Sequence, residues 1–575
     1  MRSLQQARRA RGRGGRTLSR VMTLALALAC AVLLAACGGG SGSSSSTLSA
    51  EDARTQLDAM YDKISPTQET VDPDISVTET ETLAEELPDI DTYDTPVKGS
   101  GDVVIEIMAS GEKSGDGQDG WLNRVAENFN ASGATVGGKS VGVTIRKVSS
   151  GEGYDYVRSG KYRPTAWSPS NAIYGSLMDA EGVSYEVATD RLVGNVAGFL
   201  LKQDKYDTLI ETYGEATAAT IAQAQTDGVI TLGYTSPYTS ATGMNMLMAI
   251  MESFSADDPT GTAATEKLQA FLDTNPPVLA TTQAMRDSAT NGLIDCMVME
   301  RQAFVNEPAL TSGYVFVPAG VRHDSPVYAL DATDEQRAAL DAFLEYAAGD
   351  ESQDLASQYG FNVDADYVSE ATVLGGNQIS YIQGLWKGGK DNAAPVVAAI
   401  VIDTSGSMQG KPLNQVKQAC LAAVPYVNDG NYLGLVTYDS SVRMLMPIER
   451  FDTSNKALFK GAVNAMTTGG STRTYDGLLT AAKMIEDVKD SEPSLANAKP
   501  MIFLLSDGRS NSGYTMSEAQ AVIQALDIPV YTLAFGDSAD TDELTKMSEI
   551  NEATMSVVDE ENVSYVLRNL LNTNL

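Results

Sequence analysis

The sequence predicts an α/β protein with two folded domains, because short apolar strands alternate with amphipathic helices along most of the chain. One such succession starts at "DVVIEIMAS", residues 102–110, and a second starts at the apolar run Val396–Ile402. A stretch rich in Gly and polar residues, 369–394, lies between them and is interpreted as a connector. A length of 575 residues with 43% apolar residues is sufficient for more than one core.

The N-terminus has the pattern of an export signal. Seven arginines and no acidic residue lie in the first twenty positions, and the apolar run Val21–Ala36 follows. At about sixteen residues this run is shorter than a membrane-spanning helix. It ends in "LAAC", Leu34–Cys37, which resembles the lipobox of bacterial lipoproteins. The resemblance implies that residues 1–36 are removed, that Cys37 is lipidated, and that the protein is lipid-anchored at the extracytoplasmic face of the cell membrane.

Residues 37–100 are predicted to connect this anchor to the folded domains. Residues 38–46 are Gly and Ser only, and a short helix is predicted near 47–65 with Ser49 as its cap. From Ile64 to Val97 the chain has ten acidic residues and no basic one. Such a composition is typical of a solvated, extended linker.

Composition excludes several classes of function. The formal net charge is −34, and a surface of that sign repels nucleic acid. The single histidine, His323, has no nucleophile motif near it, and no GxxxxGKS/T loop or CxxC pair occurs. The sequence therefore predicts a protein that is not an enzyme. Cys420 lies on an apolar stripe of helical spacing and is predicted to be a core thiol.

Residues 101–368 form the first predicted domain, in which strands and helices alternate. Its stretches "LGYTSPYTSATGMN" (232–245) and "LDATDEQRAALDAFLEYAAGDESQDLASQYGFN" (330–362) resemble the extracytoplasmic solute-binding proteins of the type II kind. The resemblance implies a two-lobed, periplasmic-binding-protein-like fold that closes on a small-molecule or anionic solute. Loops at strand ends and helix N-termini would hold that solute, because free N–H groups there favour an anion. By analogy the candidate ligand-binding residues are Ser110, Gly111, Lys113, Trp167, Ser168, Thr239, Ser240, Thr242 and Gly243.

Residues 395–575 form the second predicted domain, a mostly parallel sheet covered by helices on both faces. The hairpin "YDSSVR" is predicted to add one antiparallel edge strand. In a doubly wound sheet the ligand crevice lies beyond the carboxyl ends of the strands. Oxygen-bearing side chains follow two of these strands and one Gly-rich loop, namely Asp403, Ser405, Ser407, Thr472 and Asp507.

Three hydroxyls and two carboxylates are hard oxygen donors, and they suit Mg²⁺ or Mn²⁺. Neutral hydroxyl ligands leave the metal electron-poor, so a coordination position open to a carboxylate is expected. The sequence therefore predicts a protein partner that offers an Asp or Glu side chain.

This second domain resembles the von Willebrand factor A (VWA) domain, a Rossmann-like fold, from Val396 to Leu575. Asp403, Ser405 and Ser407 match the DxSxS element of its metal-ion-dependent adhesion site. Thr472 in "GGSTRTYDGL" matches the family threonine, and Asp507 in "LLSDG" matches the second aspartate. The resemblance implies that the serines and the threonine coordinate directly, whereas the aspartates act mainly through water. The neighbouring Asp476 is interpreted as a surface acid of a helix.

Two functional hypotheses remain open at the level of sequence. In the first, the protein is a surface adhesion or scaffold module that binds an acidic group of another protein through the metal. In the second, it is the solute receptor of an ABC-type transporter with an accessory docking domain.

Overall fold

The computed structural model describes residues 48–76, 82–279, 285, 294–369, 371–507, 510–536, 539–548, 553, 555–559 and 562–575. The predicted signal peptide, the Gly/Ser tether and Cys37 lie outside these residues. Within the described part of the chain, no helix combines the length and the apolar character needed to cross a membrane.

Helices and strands follow one another in three parts of the chain. The N-terminal segment, residues 48–100, contains α1 (Ala50–Ile64), β1 (Thr67–Gln68) and α2 (Leu83–Glu86). The two-lobed domain, residues 101–393, contains the strands β2 (Val103–Ala109), β3 (Thr135–Val136), β4 (Lys139–Lys147), β5 (Ala166–Ser168), β6 (Glu186–Thr189), β7 (Val196–Lys202), β8 (Leu232–Thr235), β9 (Val278–Leu279), β10 (Cys296–Glu300), β11 (Tyr314–Arg322) and β12 (Val327–Ala329). Its helices are α3 (Gly111–Ser114), α4 (Trp121–Ser132), α5 (Ser150–Ser159), α6 (Ile173–Glu181), α7 (Gln203–Tyr213), α8 (Ala218–Thr226), α9 (Ala241–Phe254), α10 (Thr262–Asp273), α11 (Arg301–Val305), α12 (Pro308–Thr311), α13 (Asp334–Ala348), α14 (Asp350–Gln358) and α15 (Gly376–Ala393).

The C-terminal domain, residues 395–575, is built in the same alternating way. Its strands are β13 (Val396–Asp403), β14 (Tyr432–Tyr438), β15 (Val442–Arg450), β16 (Lys499–Ser506), β17 (Val530–Phe535) and β18 (Met555–Val558). Its helices are α16 (Lys411–Ala423), α17 (Thr453–Ala465), α18 (Thr474–Ser491), α19 (Met516–Ala525), α20 (Thr541–Ser548) and α21 (Val563–Asn574). The predicted α/β class is confirmed in both domains.

Two separate sheets form the two lobes. The first has the strand order β3-β4-β2-β5-β12-β6 and the second has the order β11-β7-β10-β8-β9. The loops after β2 and β8 lead into α3 and α9, so the N-termini of these helices face the gap between the lobes. The lobes approach closely at Gly151, where an added Cβ would lie 2.6 Å from the carbonyl oxygen of Thr239.

The sheet of the C-terminal domain has the order β1-β15-β14-β13-β16-β17-β18. Strand β13 lies at its centre, all of its residues are buried, and it pairs in parallel with β14 and β16. This is the predicted doubly wound arrangement, and the antiparallel strand β15 is also present. However, β15 is not the edge of the sheet, because β1 from the N-terminal segment pairs with it in parallel.

The interpretation of residues 64–97 as a solvated linker is wrong for the residues that the structure describes. Helix α1 forms as predicted, with Ser49 accepting a hydrogen bond from the Asp52 amide at 3.1 Å. Its buried residues join the core of the C-terminal domain next to α18 and α19. Farther along, Leu87 and Val97 are buried against the two-lobed domain. The count of acidic residues did not reveal this packing, because a few well-spaced apolar residues suffice to attach a charged segment to an existing core.

The predicted connector at 369–394 is also wrong, because most of it is helix α15 of the two-lobed domain. Ile379, Ile382 and Trp386 are fully buried in that domain's core, and α15 packs on α6 and α10. The Trp386 Nε1 donates to the hydroxyl of Tyr234 at 2.9 Å. Glycine here permits close helix packing, since a Cβ at Gly389 would lie 2.7 Å from the Leu272 side chain.

Helix α21 joins the two domains. It packs on α16 within its own domain, and its other face contacts the two-lobed domain. The Tyr565 hydroxyl donates to Asp155 at 2.9 Å, and the Lys390 ammonium donates to the carbonyl of Thr573 at 2.7 Å. The guanidinium of Arg568 forms a buried ion pair with Glu86 of the N-terminal segment.

Candidate functional site

The candidate metal site lies at the carboxyl end of β13. Strand β13 ends at Asp403, and Ser405 and Ser407 lie in the short turn before α16. Asp507 follows β16, which pairs with β13 so that Leu505 lies beside Ile402. The parallel pairing therefore places the two predicted aspartates at the same edge of the sheet.

Asp403 is fully buried and held by three donors. Its Oδ1 accepts from the Ser405 amide at 2.8 Å, and its Oδ2 accepts from the hydroxyls of Tyr438 at 3.2 Å and Ser506 at 3.1 Å. Burial raises the pKa of Asp403 to about 6; the hydrogen bonds from Ser405 and Ser506 oppose this rise, and the charge of Asp507 adds to it. Two carboxylates that repel each other at the end of a buried strand favour a cation between them.

The hydroxyl groups of the site lie on the turn after β13 and on the loop before α18. The Oγ atoms of Ser405 and Ser407 are 3.0 Å apart; Ser405 is buried and Ser407 is exposed. Thr472 is buried, its amide donates to Asn511 Oδ1 at 3.0 Å, and its Oγ1 lies 3.5 Å from Asn511 Nδ2. Sequence reasoning missed Asn511, which follows Asp507 by four residues in a polar loop.

Two glycines bring the Thr472 loop to the turn after β13. The Gly469 amide donates to the carbonyl of Thr404 at 2.7 Å, and the Gly406 amide donates to the carbonyl of Gly470 at 3.2 Å. A Cβ at Gly469 would lie 2.0 Å from Asp439 Oδ2, so the loop accepts no side chain there. Gly469 is therefore required for the close approach of this loop to the turn after β13.

Asp476 is buried, and its interpretation as a surface acid is wrong. Its Oδ2 accepts from Arg473 Nε at 2.5 Å and its Oδ1 accepts from the Tyr514 amide at 2.8 Å. The loop after β16 covers this face of α18. Helical spacing alone could not show that cover, because the loop comes from a distant part of the sequence.

The donor set fits a hard divalent cation. Among the described residues, no group of three or more His, Cys, Asp or Glu side chains is arranged to hold a metal. The set at the end of β13 is of another kind, with neutral hydroxyls beside the two carboxylates, and such oxygen donors suit Mg²⁺ or Mn²⁺. No salt bridge of the described residues joins Asp403 to a Lys or Arg, so basic side chains of the chain do not neutralise its charge there.

A second candidate site is a cavity of about 590 Å³ between the two lobes. Residues of both lobes line it, and so do Tyr565, Asn569 and Thr573 of α21. Of the predicted ligand-binding residues, those that line the cavity are Ser110, Gly111, Thr239, Ser240 and Thr242. Those that do not line it are Lys113, Trp167, Ser168 and Gly243.

The predicted residues that do not line the cavity have structural roles. Trp167 is fully buried, and its ring packs 5.7 Å from the Tyr174 ring and 6.0 Å from the Tyr328 ring. Ser168 and Lys113 are also fully buried. Gly243 lies in the first turn of α9, where its amide donates to Ser240 Oγ at 3.2 Å and a Cβ would lie 2.1 Å from the Thr235 carbonyl oxygen.

Sequence reasoning missed the acidic side chains of the cavity, Glu112, Asp119, Glu152 and Glu300. Glu300 accepts from Asn195 Nδ2 at 2.7 Å, and its Oε1 lies 2.8 Å from His323 Nδ1. His323 is itself buried behind this contact. The sequence did not predict that α21 would line the cavity, because this contact depends on how the two domains pack.

Family models match both domains. The model described as "von Willebrand factor type A domain" matches residues 399–571, and the model described as "Bacterial extracellular solute-binding protein" matches residues 114–362. The chain carries a solute-binding domain followed by a VWA domain. The two-lobed domain is the solute-binding domain, and the C-terminal domain is the VWA domain.

Two curated proteins are similar to part of the chain. The inter-alpha-trypsin inhibitor heavy chain H1 of Bos taurus is 28% identical over 167 residues, which is 28% of this chain and 18% of that protein. An uncharacterized protein of Synechocystis sp. is 27% identical over 171 residues, 29% of this chain and 39% of that protein. The chain thus spans less than half of the length of these curated relatives.

Two solved structures match part of the chain. A von Willebrand factor type A protein from Catenulispora acidiphila is 23% identical, with a TM-score of 0.28 and coverage of 31% of this chain and 42% of that chain. The sulfate-binding protein SubI from Mycobacterium tuberculosis is 17% identical, with a TM-score of 0.32 and coverage of 46% of this chain and 88% of that chain.

Proposed function

We propose that this protein is a cell-surface binding protein whose VWA domain uses a divalent metal, Mg²⁺ or Mn²⁺, to bind an acidic group of a partner protein. Its role would be that of an adhesion or scaffold module. The observation that supports this most directly is that the turn after β13, the loop before α18 and the end of β16, which carry the five candidate ligands, lie at one edge of the sheet.

The chain's own groups prepare this edge for a cation and a partner. Asp403 and Asp507 supply negative charge from within, and the Tyr438 and Ser506 hydroxyls fix the orientation of the Asp403 carboxylate. Ser407 is exposed, so the outer side of the site is open to another molecule. A metal bound mainly by neutral hydroxyls would supply a coordination position that favours a carboxylate from outside.

Isothermal titration calorimetry of the full chain with MgCl₂ tests the metal site. Wild type is expected to take up Mg²⁺, and Ser405→Ala is expected to weaken the uptake at least tenfold because it removes one hydroxyl ligand. The matched control is Ser454→Ala, an exposed serine of the same domain, which is expected to bind as wild type does. Equal uptake by Ser405→Ala and wild type would reject the assignment.

The proposed location is the extracytoplasmic face of the cell membrane, through lipid on Cys37. Partition into a detergent phase after expression with its own N-terminus tests this proposal. Wild type is expected in the detergent phase, whereas Cys37→Ser is expected in the aqueous phase. Wild type in the aqueous phase would contradict the anchor.

A second candidate function is that of a solute receptor for an ABC-type transporter. The cavity of about 590 Å³ between the lobes favours it, because that volume accommodates a small organic molecule or an oxyanion. In this case the VWA domain would be an accessory docking module.

A further inference from the structure

The carboxylate of Glu112 already lies where the predicted anion-binding groups of the first lobe converge. Its Oε1 accepts from Ser110 Oγ at 2.6 Å, from the Lys113 ammonium at 2.9 Å and from Ser170 Oγ at 3.0 Å. Ser170 is held in turn by Ser150, whose Oγ lies 3.2 Å away. Two hydroxyls and one buried ammonium therefore surround an anionic group that belongs to the chain itself.

The ammonium group of Lys113 could have bound an external anion, but it donates its hydrogen bonds to groups within the protein. Lys113 is completely buried, and besides Glu112 it donates to Ser110 Oγ and to the carbonyl of Pro169. Burial opposes ionisation of Glu112, but the charge of Lys113 and the hydrogen bond from Ser110 outweigh burial and hold the pKa of Glu112 below its usual value. Glu112 is thus a permanent internal anion near neutral pH.

The remaining wall of the cavity is rich in acceptors. Besides Glu112, the carboxylates of Asp119, Glu152 and Glu300 line the cavity, whereas no Lys, Arg or His of the described residues does so. Glu152 is positioned by hydrogen bonds from the Ser149 and Tyr93 hydroxyls. Such a wall repels an oxyanion and attracts a cation.

A buried acceptor of the same wall also lacks a donor. Gln302 is fully buried and lines the cavity, and its Nε2 donates to Asp119 Oδ1 at 2.9 Å and to the Gln118 carbonyl at 3.0 Å. Its Oε1 has no hydrogen-bond partner among the described residues. A buried polar atom without a partner is costly, so a ligand that donates a hydrogen bond there would remove that cost.

We propose that Glu112 fills the anion-binding position of the cleft, and that the cavity takes a small organic cation bearing an ammonium group instead of an oxyanion. Glu152 and Glu300 supply the opposite charge, and Gln302 Oε1 accepts from the ligand. Helix α21 closes the cavity on the side of the VWA domain. This inference rests on the second candidate function, the solute receptor.

Calorimetry of the full chain with three defined probes tests the proposal, in EDTA so that the VWA metal site does not contribute. The probes are 1,4-diaminobutane, its neutral isostere 1,4-butanediol, and sulfate. Wild type is expected to bind the diamine at least tenfold more tightly than the diol and to show no sulfate binding. Glu152→Gln is expected to weaken the binding of the diamine at least tenfold. Glu112→Ala is expected to gain sulfate binding, because Ser110, Lys113 and Ser170 become available.

The contrary results distinguish failure of the proposed ligand class from failure of the solute-receptor function. Sulfate binding by wild type would overturn the assignment of ligand class and leave the solute-receptor function standing. Binding of no probe by wild type or by either variant would overturn both the inference and the solute-receptor function. Because three of the measurements use wild type alone, a variant that fails to fold does not prevent a decision. Mg²⁺ uptake at the VWA site is measured separately and is unaffected by these outcomes.

Discussion

The hydroxyl of Tyr565, on the last helix of the VWA domain, donates a hydrogen bond at 2.9 Å to the carboxylate of Asp155 in the solute-binding domain. Both side chains are largely withdrawn from water, and Arg568 lies 3.5 Å from the same carboxylate. Helix α21 is consequently a core element of one domain and a wall of the cavity in the other. A ligand in the cavity would therefore lie against a helix of the VWA domain.

Tyr565→Phe is expected to weaken the contact between α21 and the solute-binding domain. The variant keeps the ring in its buried position and removes only the hydrogen bond to a charged acceptor, a loss of about 1.5–3 kcal/mol. Hydrogen exchange measured by mass spectrometry is expected to become faster in 563–574. The matched control is Tyr432→Phe, whose hydroxyl contacts the exposed Glu492 at 3.2 Å, and it is expected to leave exchange in α21 unchanged. Unchanged exchange in Tyr565→Phe would show that this hydrogen bond does not stabilise the contact between α21 and the solute-binding domain.

Gly469→Ala is expected to separate Thr472 from the serines of the metal site. The added Cβ would overlap Asp439 Oδ2, so the loop must move, and overpacking of this kind costs about 1–3 kcal/mol. Urea unfolding and Mg²⁺ titration measure the two effects, lower stability and weaker uptake. Gly430→Ala serves as the comparison, since no atom lies within 4 Å of a Cβ placed there. If both variants behaved alike, the close approach at Gly469 would be unimportant for the site.

Glu152→Gln is expected to stabilise the protein at neutral pH. Burial raises the pKa of Glu152, and the hydrogen bonds from Ser149 and Tyr93 only partly oppose the rise. The folded state therefore binds this proton more tightly than the unfolded state, so stability is greatest below the unfolded pKa of about 4.3 and falls as pH rises through the folded pKa. Removal of the carboxyl group should raise Tm at pH 7.

The pH dependence separates this effect from a change in packing. The difference in Tm between Glu152→Gln and wild type should vanish by about pH 3, where the wild-type side chain is protonated in both states. Glu127→Gln, on an exposed face of α4, should show no such difference at either pH. A constant difference across the range would mean that ionisation is not its cause.

Leu57→Ala tests whether the N-terminal segment is part of the VWA core. Leu57 is 1% exposed and packs with α18 and α19, so its truncation is expected to cost about 2–5 kcal/mol. Denaturant unfolding of the full chain measures this loss. Thr55→Ala, on the exposed face of the same helix, is expected to stay within about 0.5 kcal/mol of wild type. A linker would tolerate both substitutions equally.

The position of the candidate metal site was predictable because it follows from the order of strands and loops in the sheet. Once Val396–Ile402 is recognised as a buried parallel strand, the residues after it must lie at the carboxyl edge, where Asp507 also emerges. Asn511 and Asp476 were not identified, since their contacts depend on the path of the loop after β16. Local pattern determines strand ends, but it does not determine how a polar loop folds back.

The cleft was predictable only in outline. The loops at 110 and 240 do line the cavity, as their positions before helices suggested. The pattern did not show that Glu112 would fold back onto Ser110 and Lys113, because a glutamate in the first turn of a helix ordinarily serves the helix end. The helix at 376–393 was missed because its glycines suggested a linker, although Ile379, Ile382 and Trp386 have the spacing of one helical face.

The two-residue strand β1 has a consequence for the behaviour of the protein in concentrated solution. It covers the outer backbone of β15, with Thr67 beside Arg443 and the Glu69 amide donating to the Met444 carbonyl at 2.9 Å. Without it, β15 would present unpaired N–H and C=O groups that could template the addition of a strand from a second molecule. The N-terminal segment therefore covers this part of the sheet edge, and its removal would expose the backbone of β15 to pairing with a strand of another molecule.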